Sequence, residues 1–251
     1  MTQQTQNHPF TTPPAPLVLM TLIGDYMPAR RIGVAAQFGI ADQLKDGPKS
    51  VAELAESTGT HAPSLYRMLR LLTHIGVFAE VEPQCFANTD LSAYLRSDVP
   101  GSMYGMARMW GGAPHWRSWG ELAHSIQTGQ PAFDKAHAME MWRYFTEQDP
   151  AAGAIFDQAM TGFSTSVDRP IAQAYDFSGV HTLVDVGGGH GNLLATILAT
   201  YPQIETGILF DQPQVIADAG VRMETAAIAG RCELAGGDFF AAVPGGRMPT
   251  S

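Results

Sequence analysis

Cysteine is scarce in this chain: two in 251 residues, Cys85 and Cys232, far apart in sequence. That excludes a disulfide-stapled secreted scaffold and suits a reducing compartment. Positive charge is also scarce. Fifteen Lys and Arg stand against 24 Asp and Glu, a net charge of −9, which argues against broad binding to nucleic acid or to an acidic membrane surface. The apolar run from Leu17 to Ile23 falls far short of the roughly 20 residues that span a bilayer, and Met1 to Pro16 lacks the basic start of an export signal. Cytoplasm is therefore the expected location. No metal-ligand spacing stands out, so no metal is expected. The length suits one large domain or two smaller ones and is enough to bury a core.

What the chain does have is Thr182-Leu183-Val184-Asp185-Val186-Gly187-Gly188-Gly189-His190-Gly191, followed by an apolar helical stretch from Asn192 to Thr200. This reads as a buried parallel strand that breaks into a glycine loop and then a helix. Glycines let a ligand approach the backbone, and the helix start offers unpaired N–H groups. An acidic residue precedes G-x-G-x-G here, rather than the G-x-G-x-x-G of dinucleotide sites. The next apolar run, Gly207 to Phe210, ends in Asp211, where a carboxylate can accept hydrogen bonds from ribose hydroxyls. A third strand is expected near Arg231 to Ala235. Asp238-Phe239-Phe240 follows it, placing a carboxylate and two rings where an adenine would lie.

Earlier in the chain, Gln, Thr and Pro dominate residues 1–14, which read as a disordered tail. Residues 15–44 show helical periodicity with more apolar positions than a solvent-facing helix needs. Ser50-Val51-Ala52-Glu53 is a capping box that opens a short helix, which Gly59 ends. Pro63 sits in the first turn of a second helix, whose inner face is Leu65, Leu69 and Leu72. Two short strand patterns around Glu82-Pro83-Gln84 then form a hairpin. Helix, turn, helix and hairpin make a winged helix. A groove reader would carry a basic footprint, yet the first 100 residues hold seven Lys and Arg against nine Asp and Glu, so a packing and dimerisation scaffold is the preferred reading over DNA binding. Residues 101–178 are helical and hold all four tryptophans, Trp110, Trp116, Trp119 and Trp142. They could line an apolar pocket or simply fill core.

The winged helix, Leu183 to Gly191, Phe210-Asp-Gln-Pro-Gln-Val215 and Gly237-Asp-Phe-Phe240 together resemble the S-adenosylmethionine-dependent O-methyltransferases of the plant caffeate and bacterial small-molecule type. The resemblance implies a mixed fold: an all-α winged-helix domain with a hairpin wing, then a partial α/β Rossmann-like domain. Expected boundaries are 15–100 for dimerisation, 101–178 for a helical linker and pocket region, and 179–251 for cofactor binding. It also implies S-adenosylmethionine as cofactor, a homodimer, and a hydroxyl of a small aromatic metabolite as acceptor, without nucleic-acid or membrane partners. By matching position, Asp185, Gly187, Gly189, Gly191, Asp211, Asp238, Phe239 and Ser164 are candidate cofactor residues, and Met160 a candidate pocket residue.

The family's general base is a histidine in a His-Asp-Trp segment. None of the eight histidines here stands in one, so no catalytic residue is assigned and slow or absent turnover is expected. The alternatives are a non-catalytic cofactor-binding or partner subunit and, behind it, a winged-helix DNA regulator. The family's sheet continues past the three strands expected here, so its central first strand should become an apolar edge. The closing Gly245-Gly-Arg-Met-Pro-Thr-Ser251 is read as a frameshifted remnant of a longer enzyme, since shifting one base allows Ala-Asp-Ala-Tyr-Phe. An uncovered apolar edge predicts a chain that self-associates at micromolar concentration. Sedimentation showing one monodisperse monomer that melts cooperatively would contradict this.

Overall fold

The computed structural model describes residues 13–213, 215–217, 219 and 228–244. The expected tail, apart from Pro13 and Pro14, and the segment read as frameshifted lie outside these described residues.

The first helical pattern forms three helices rather than one: α1 (Ala15–Gly24), α2 (Tyr26–Gln37) and α3 (Ile40–Gln43). Two residues cause the breaks. Pro28 has no N–H to offer and its ring crowds the carbonyl four residues earlier, that of Gly24. Gly39 adopts φ of 62°, a left-handed turn natural to glycine. No residue of α1 is buried, although the helix is almost wholly apolar.

The winged helix then follows the expected plan. Strand β1 (Lys49–Ser50) leads into α4 (Val51–Thr58), where the Ser50 side chain accepts from the Glu53 N–H and Glu53 reaches back to the Ser50 N–H. Gly59, with φ of 64°, ends α4. Helix α5 (Ala62–His74) buries Leu65, Leu69 and Leu72. The wing is β2 (Phe78–Glu82) and β3 (Cys85–Asn88), and β1 joins it to make a sheet of order β1-β3-β2. The domain expected as all-α thus contains a three-stranded antiparallel sheet, because β1 supplies a strand too short to read from periodicity. Phe78, Phe86, Leu54, Leu69, Leu72 and Ile40 close its core.

After α6 (Asp90–Ala93) a run of short helices follows: α7 (Tyr104–Gly111), α8 (Ala113–Gly120), α9 (Leu122–Thr128), α10 (Ala132–His137) and α11 (Met141–Arg143). A π-turn over Tyr144–Gln148 leads to the 25-residue α12 (Pro150–Ala174), capped by the Asp149 side chain on the Ala152 N–H. The helical pattern expected over 101–178 is interrupted at Glu121, just past Gly120. Glycines set the crossings. A Cβ on Gly33 of α2 would lie 2.7 Å from the Gly111 Cα, and one on Gly105 would lie 2.6 Å from the Ala159 nitrogen of α12. These contacts seat α7 on both neighbours and join the amino-terminal domain to α12.

The last module is β4 (Thr182–Val186), α13 (Asn192–Thr200), β5 (Thr206–Asp211) and β6 (Cys232–Gly236), a parallel sheet of order β4-β5-β6. Among the described residues β4 pairs only with β5, so it is the edge expected from sequence, with Val186 45% exposed. The core lies between α13, α12 and the sheet, where Leu194, Leu198, Ile204, Leu209 and Ala172 are fully buried.

Gly111→Val should destabilise the chain by about 1–3 kcal/mol through overpacking against Gly33, whereas Ser50→Ala should cost about 1 kcal/mol by losing a cap. Urea unfolding of the two variants checks both values, and a neutral Gly111→Val would remove the crossing argument.

Candidate cofactor site

The site is built at the carboxyl ends of three adjacent parallel strands. Register places Val186 opposite Phe210 and Asp211 opposite Gly236, so the segments leaving β4, β5 and β6 emerge side by side. Gly187, Gly189 and Gly191 have φ of 71°, 58° and 78°. All three are left-handed, which a side chain would resist. A Cβ on Gly187 or Gly189 would meet nothing within 4 Å, so both faces are open to a ligand. Gly188 is different: its Cβ would strike a Leu209 methyl at 2.5 Å and the Asp185 carboxyl at 2.6 Å. Two glycines leave space outward and one lets the loop settle onto its own strand.

The loop is clasped from the next strand. The Gly189 N–H donates to Asp211 Oδ2 at 2.8 Å, the Gly187 N–H to the Phe210 carbonyl at 2.8 Å, and the Gln212 N–H to Asp211 Oδ1 at 2.7 Å. Gly191 is the N-cap of α13, so the helix start points at the same opening. Beyond β6, the Gly237 N–H donates to the Asp211 carbonyl at 2.9 Å. Asp238 is exposed and accepts from the Phe240 N–H, while Phe239 stacks against Phe240 with ring centroids 4.5 Å apart.

The structure therefore brings Asp185, Gly187, Gly189, Gly191, Asp211, Asp238 and Phe239 to one edge of the sheet. Ser164 and Met160 come from α12. Met160 packs against the buried cluster of Met106, Met109 and Ala159. A cleft of about 370 Å³ lies near the start of α12, lined by Arg30, Arg108, His115, Phe145, Asp149 and Ile155 among others. The Ile155 end of that helix is 13 residues, about 20 Å at 1.5 Å per residue, from Asp168.

Sequence reasoning missed Asp168. It lies on α12, one turn after Ser164, and is only 5% exposed. Burial, with the Asp185 carboxylate adding to it, raises its carboxyl to a pKa of about 6. Asp185 is also pushed up, first by burial, against a hydrogen bond from the Leu194 N–H and with the Asp211 charge adding. Asp185 Oδ2 is buried without a hydrogen-bond partner among the described residues. The one sequence signal was an acidic residue at helical spacing from Ser164, which alone reads as a solvated face.

Residues 119–248 match the O-methyltransferase domain family, and residues 20–98 match the O-methyltransferase dimerisation domain. The chain belongs to the O-methyltransferase family. Among this family's members it is 41% identical over 240 residues to the phenazine O-methyltransferase PhzM of Lysobacter antibioticus, covering 96% of this chain and 70% of that protein. It is 40% identical to the mitomycin biosynthesis 6-O-methyltransferase of Streptomyces lavendulae, covering 87% of this chain and 62% of that one. The crystal structure of LaPhzM superposes with a TM-score of 0.83 at 42% identity, covering 92% of this chain and 69% of the other. CalO1, a methyltransferase in calicheamicin biosynthesis solved in its SAH-bound form, gives 0.77 at 35% identity, covering 92% and 68%. The chain thus spans about two thirds of the length of the relatives it matches. S-adenosylmethionine is the cofactor of this O-methyltransferase family, and the open left-handed glycines, the helix start and the strand-tip carboxylates fit it.

The raised Asp168 carboxyl makes a stability prediction. Its folded pKa lies above the unfolded value, so the native state holds the extra proton and stability falls as pH rises from about 4 through about 6. Asp168→Asn should therefore stabilise the chain at pH above 7 by on the order of 2 kcal/mol, and by nothing below pH 4. Thermal melts of both proteins across this range test it. An equal effect at both ends would mean packing, not ionisation.

Proposed function

We propose that this chain binds S-adenosylmethionine through the loop 187–191 and is the dimerising, cofactor-binding part of a methyltransferase acting on a hydroxyl of a small aromatic metabolite. The observation that carries this reading is the Asp211 carboxylate clasping Gly189 between two strand tips. In it, Gly187, Gly189 and Gly191 admit the methionine end to the backbone, and Asp211 exchanges its internal bonds for ribose hydroxyls. Asp238 and Phe239 flank the adenine, with Ser164 near the amino-acid end. Asp185 supports the loop from beneath, and Met160 belongs to the acceptor side.

The bound cofactor supplies an electrophilic methyl group on a cationic sulfur. What this chain's residues do is position that group and shield it. Removal of the acceptor's proton needs a base, and no histidine of this sequence stands in a His-Asp-Trp segment. We therefore assign no catalytic residue and expect little turnover from this chain alone.

The dimer is a homodimer in this reading. Leu17, Leu19, Met20, Leu22 and Ile23 are each more than half exposed on α1, an apolar surface that a second copy would cover. Nucleic acid is not a partner in it: Arg70 of α5 pairs with Glu80, and Arg67 is engaged with Ser64. The free cysteines suit cytoplasm, and among the described residues no helix is long and apolar enough to cross a membrane. The second reading, a cofactor-binding partner of a homologue, draws on the exposed apolar face of α1 and would show as mixed dimers on co-expression.

Calorimetric titration of the purified chain, paired with a methyl-transfer assay on phenolic acceptors, tests the reading. Saturable binding of S-adenosylmethionine and its demethylated product, with no transfer above background, is the expected pair of results. Loss of binding in Asp211→Ala, by about tenfold or more, should accompany it, since a charged hydrogen-bond acceptor is worth about 1.5–3 kcal/mol. Absence of binding would sink the cofactor assignment; brisk transfer would show that a base has been overlooked.

A further inference from the structure

Arg30 from α2 and Arg108 from α7 both line the cleft of about 370 Å³ beside the start of α12. Their meeting follows from the glycine crossing. Each stands about one helical turn before the glycine at which the two helices touch, Gly33 and Gly111, where a Cβ on the first would lie 2.7 Å from the Cα of the second. Both guanidiniums are held in place without being neutralised. Arg30 Nη1 donates to the Gly111 carbonyl, and its Cζ lies 5.6 Å from the centre of the Trp116 ring. Arg108 Nη1 donates to the Tyr104 hydroxyl at 3.1 Å, and its Cζ lies 5.4 Å from the centre of that ring. Arg70, Arg96 and Arg143 each have a carboxylate within ion-pair distance; among the described residues Arg30 and Arg108 have none, and most donors of each fork stay open.

Much of the remaining wall is apolar. Met109, Phe145 and Ile155 line it, and Met109 belongs to the buried cluster against which Ile155, Phe156 and Met160 pack. Asp149 is the one acid in the lining among the described residues, and its Oδ1 accepts the Ala152 N–H at 2.9 Å as the cap of α12. Burial lowers the His115 imidazole below its ordinary range, so at neutral pH it adds a hydrogen-bonding ring without a charge. Two fixed cations against one engaged carboxylate leave the cleft positive, inside a chain whose net charge is −9. A half-buried cation without a counter-charge is costly. The bond to Gly111 accounts for where Arg30 sits; it does not account for a second guanidinium on the same cavity.

Resting on the function proposed above, we propose that Arg108 and Arg30 form the specificity-determining pair of this protein: they select an acceptor that carries a carboxylate on its aromatic rings and hold that charge in the cleft. Guanidinium and carboxylate match as planar, charge-assisted partners, which a neutral phenol cannot replace. The rings lie on Met109 and Ile155 and run along α12 toward Met160. Ile155 and Ser164 are nine residues apart on this helix, about 14 Å at 1.5 Å per residue, longer than a single hydroxybenzoate. The acceptor therefore has two or more fused rings, with its hydroxyl at the end away from the carboxylate. The cleft volume lies within the range of small-molecule sites, about 300–1,000 Å³.

Calorimetric titration near pH 7 with 6-hydroxy-2-naphthoate and with 2-naphthol, which keeps the rings and hydroxyl but lacks the charge, tests this. The naphthoate should bind about tenfold or more tightly, the worth of hydrogen bonds to a charged group. Arg108→Gln should remove that preference and leave 2-naphthol unchanged, while circular dichroism reports an intact fold. Arg108→Lys, which keeps the charge and loses the fork, should recover only part of the preference. Should Arg108→Gln not fold, the unaltered chain and Arg108→Lys decide. Equal binding of the two probes by the unaltered chain overturns the proposal. So does a preference undiminished in Arg108→Lys, which would put the carboxylate elsewhere. S-adenosylmethionine is titrated alongside. If it binds and the naphthoate shows no preference, this inference alone falls. If the preference holds and S-adenosylmethionine does not bind, the cofactor reading falls and takes the acceptor role of this ligand with it.

Discussion

Parallel pairing of β4 on β5 is the constraint from which the rest of the site follows. With Val186 opposite Phe210, the glycine loop must leave its strand beside Asp211, and the 2.8 Å bond from Gly189 closes the loop onto it. A shift of one residue in this register would turn Asp211 to the other face of the sheet. The apolar contacts of Leu194, Leu198 and Leu209 hold the register by burying one face against α13. Packing, pairing and candidate chemistry are therefore one arrangement seen at three scales.

Charge is concentrated where the sheet ends. Asp168, Asp185 and Asp211 lie on α12, β4 and β5, and burial is the largest cause raising the first two, against the hydrogen bond from the Leu194 N–H that lowers Asp185. Buried carboxyls of this kind are a liability for folding. The long α12 makes the connection: its early turns meet α7 through Gly105, and its late turns cover the sheet through Ala172. The amino-terminal domain, seated on α7 through Gly33 and Gly111, is thereby joined to the helix that carries Asp168.

Much of this was legible in the residues. The capping box at Ser50 and Glu53, the left-handed stop at Gly59 and the leucine face of α5 are local signals, and each formed as read. So did the strand, loop and helix from Thr182 to Thr200, because three left-handed glycines between an apolar strand and an apolar helix have few other solutions. Less legible were the helix breaks at Asp25 and Glu121 and the π-turn before α12, where the pattern persists through the interruption.

The sequence by itself determined the local grammar: which segments are helix or strand, where glycines permit a turn, and which motif precedes which. Tertiary structure alone decided which distant groups meet. Nothing in the local pattern says that the carboxyls of Asp168 and Asp185 become buried, that Gly33 must stay small for Gly111, or that β4 pairs with β5 alone among the described residues. Those facts depend on contacts between segments far apart in the chain, and their energies come from burial and charge proximity, which no local pattern encodes.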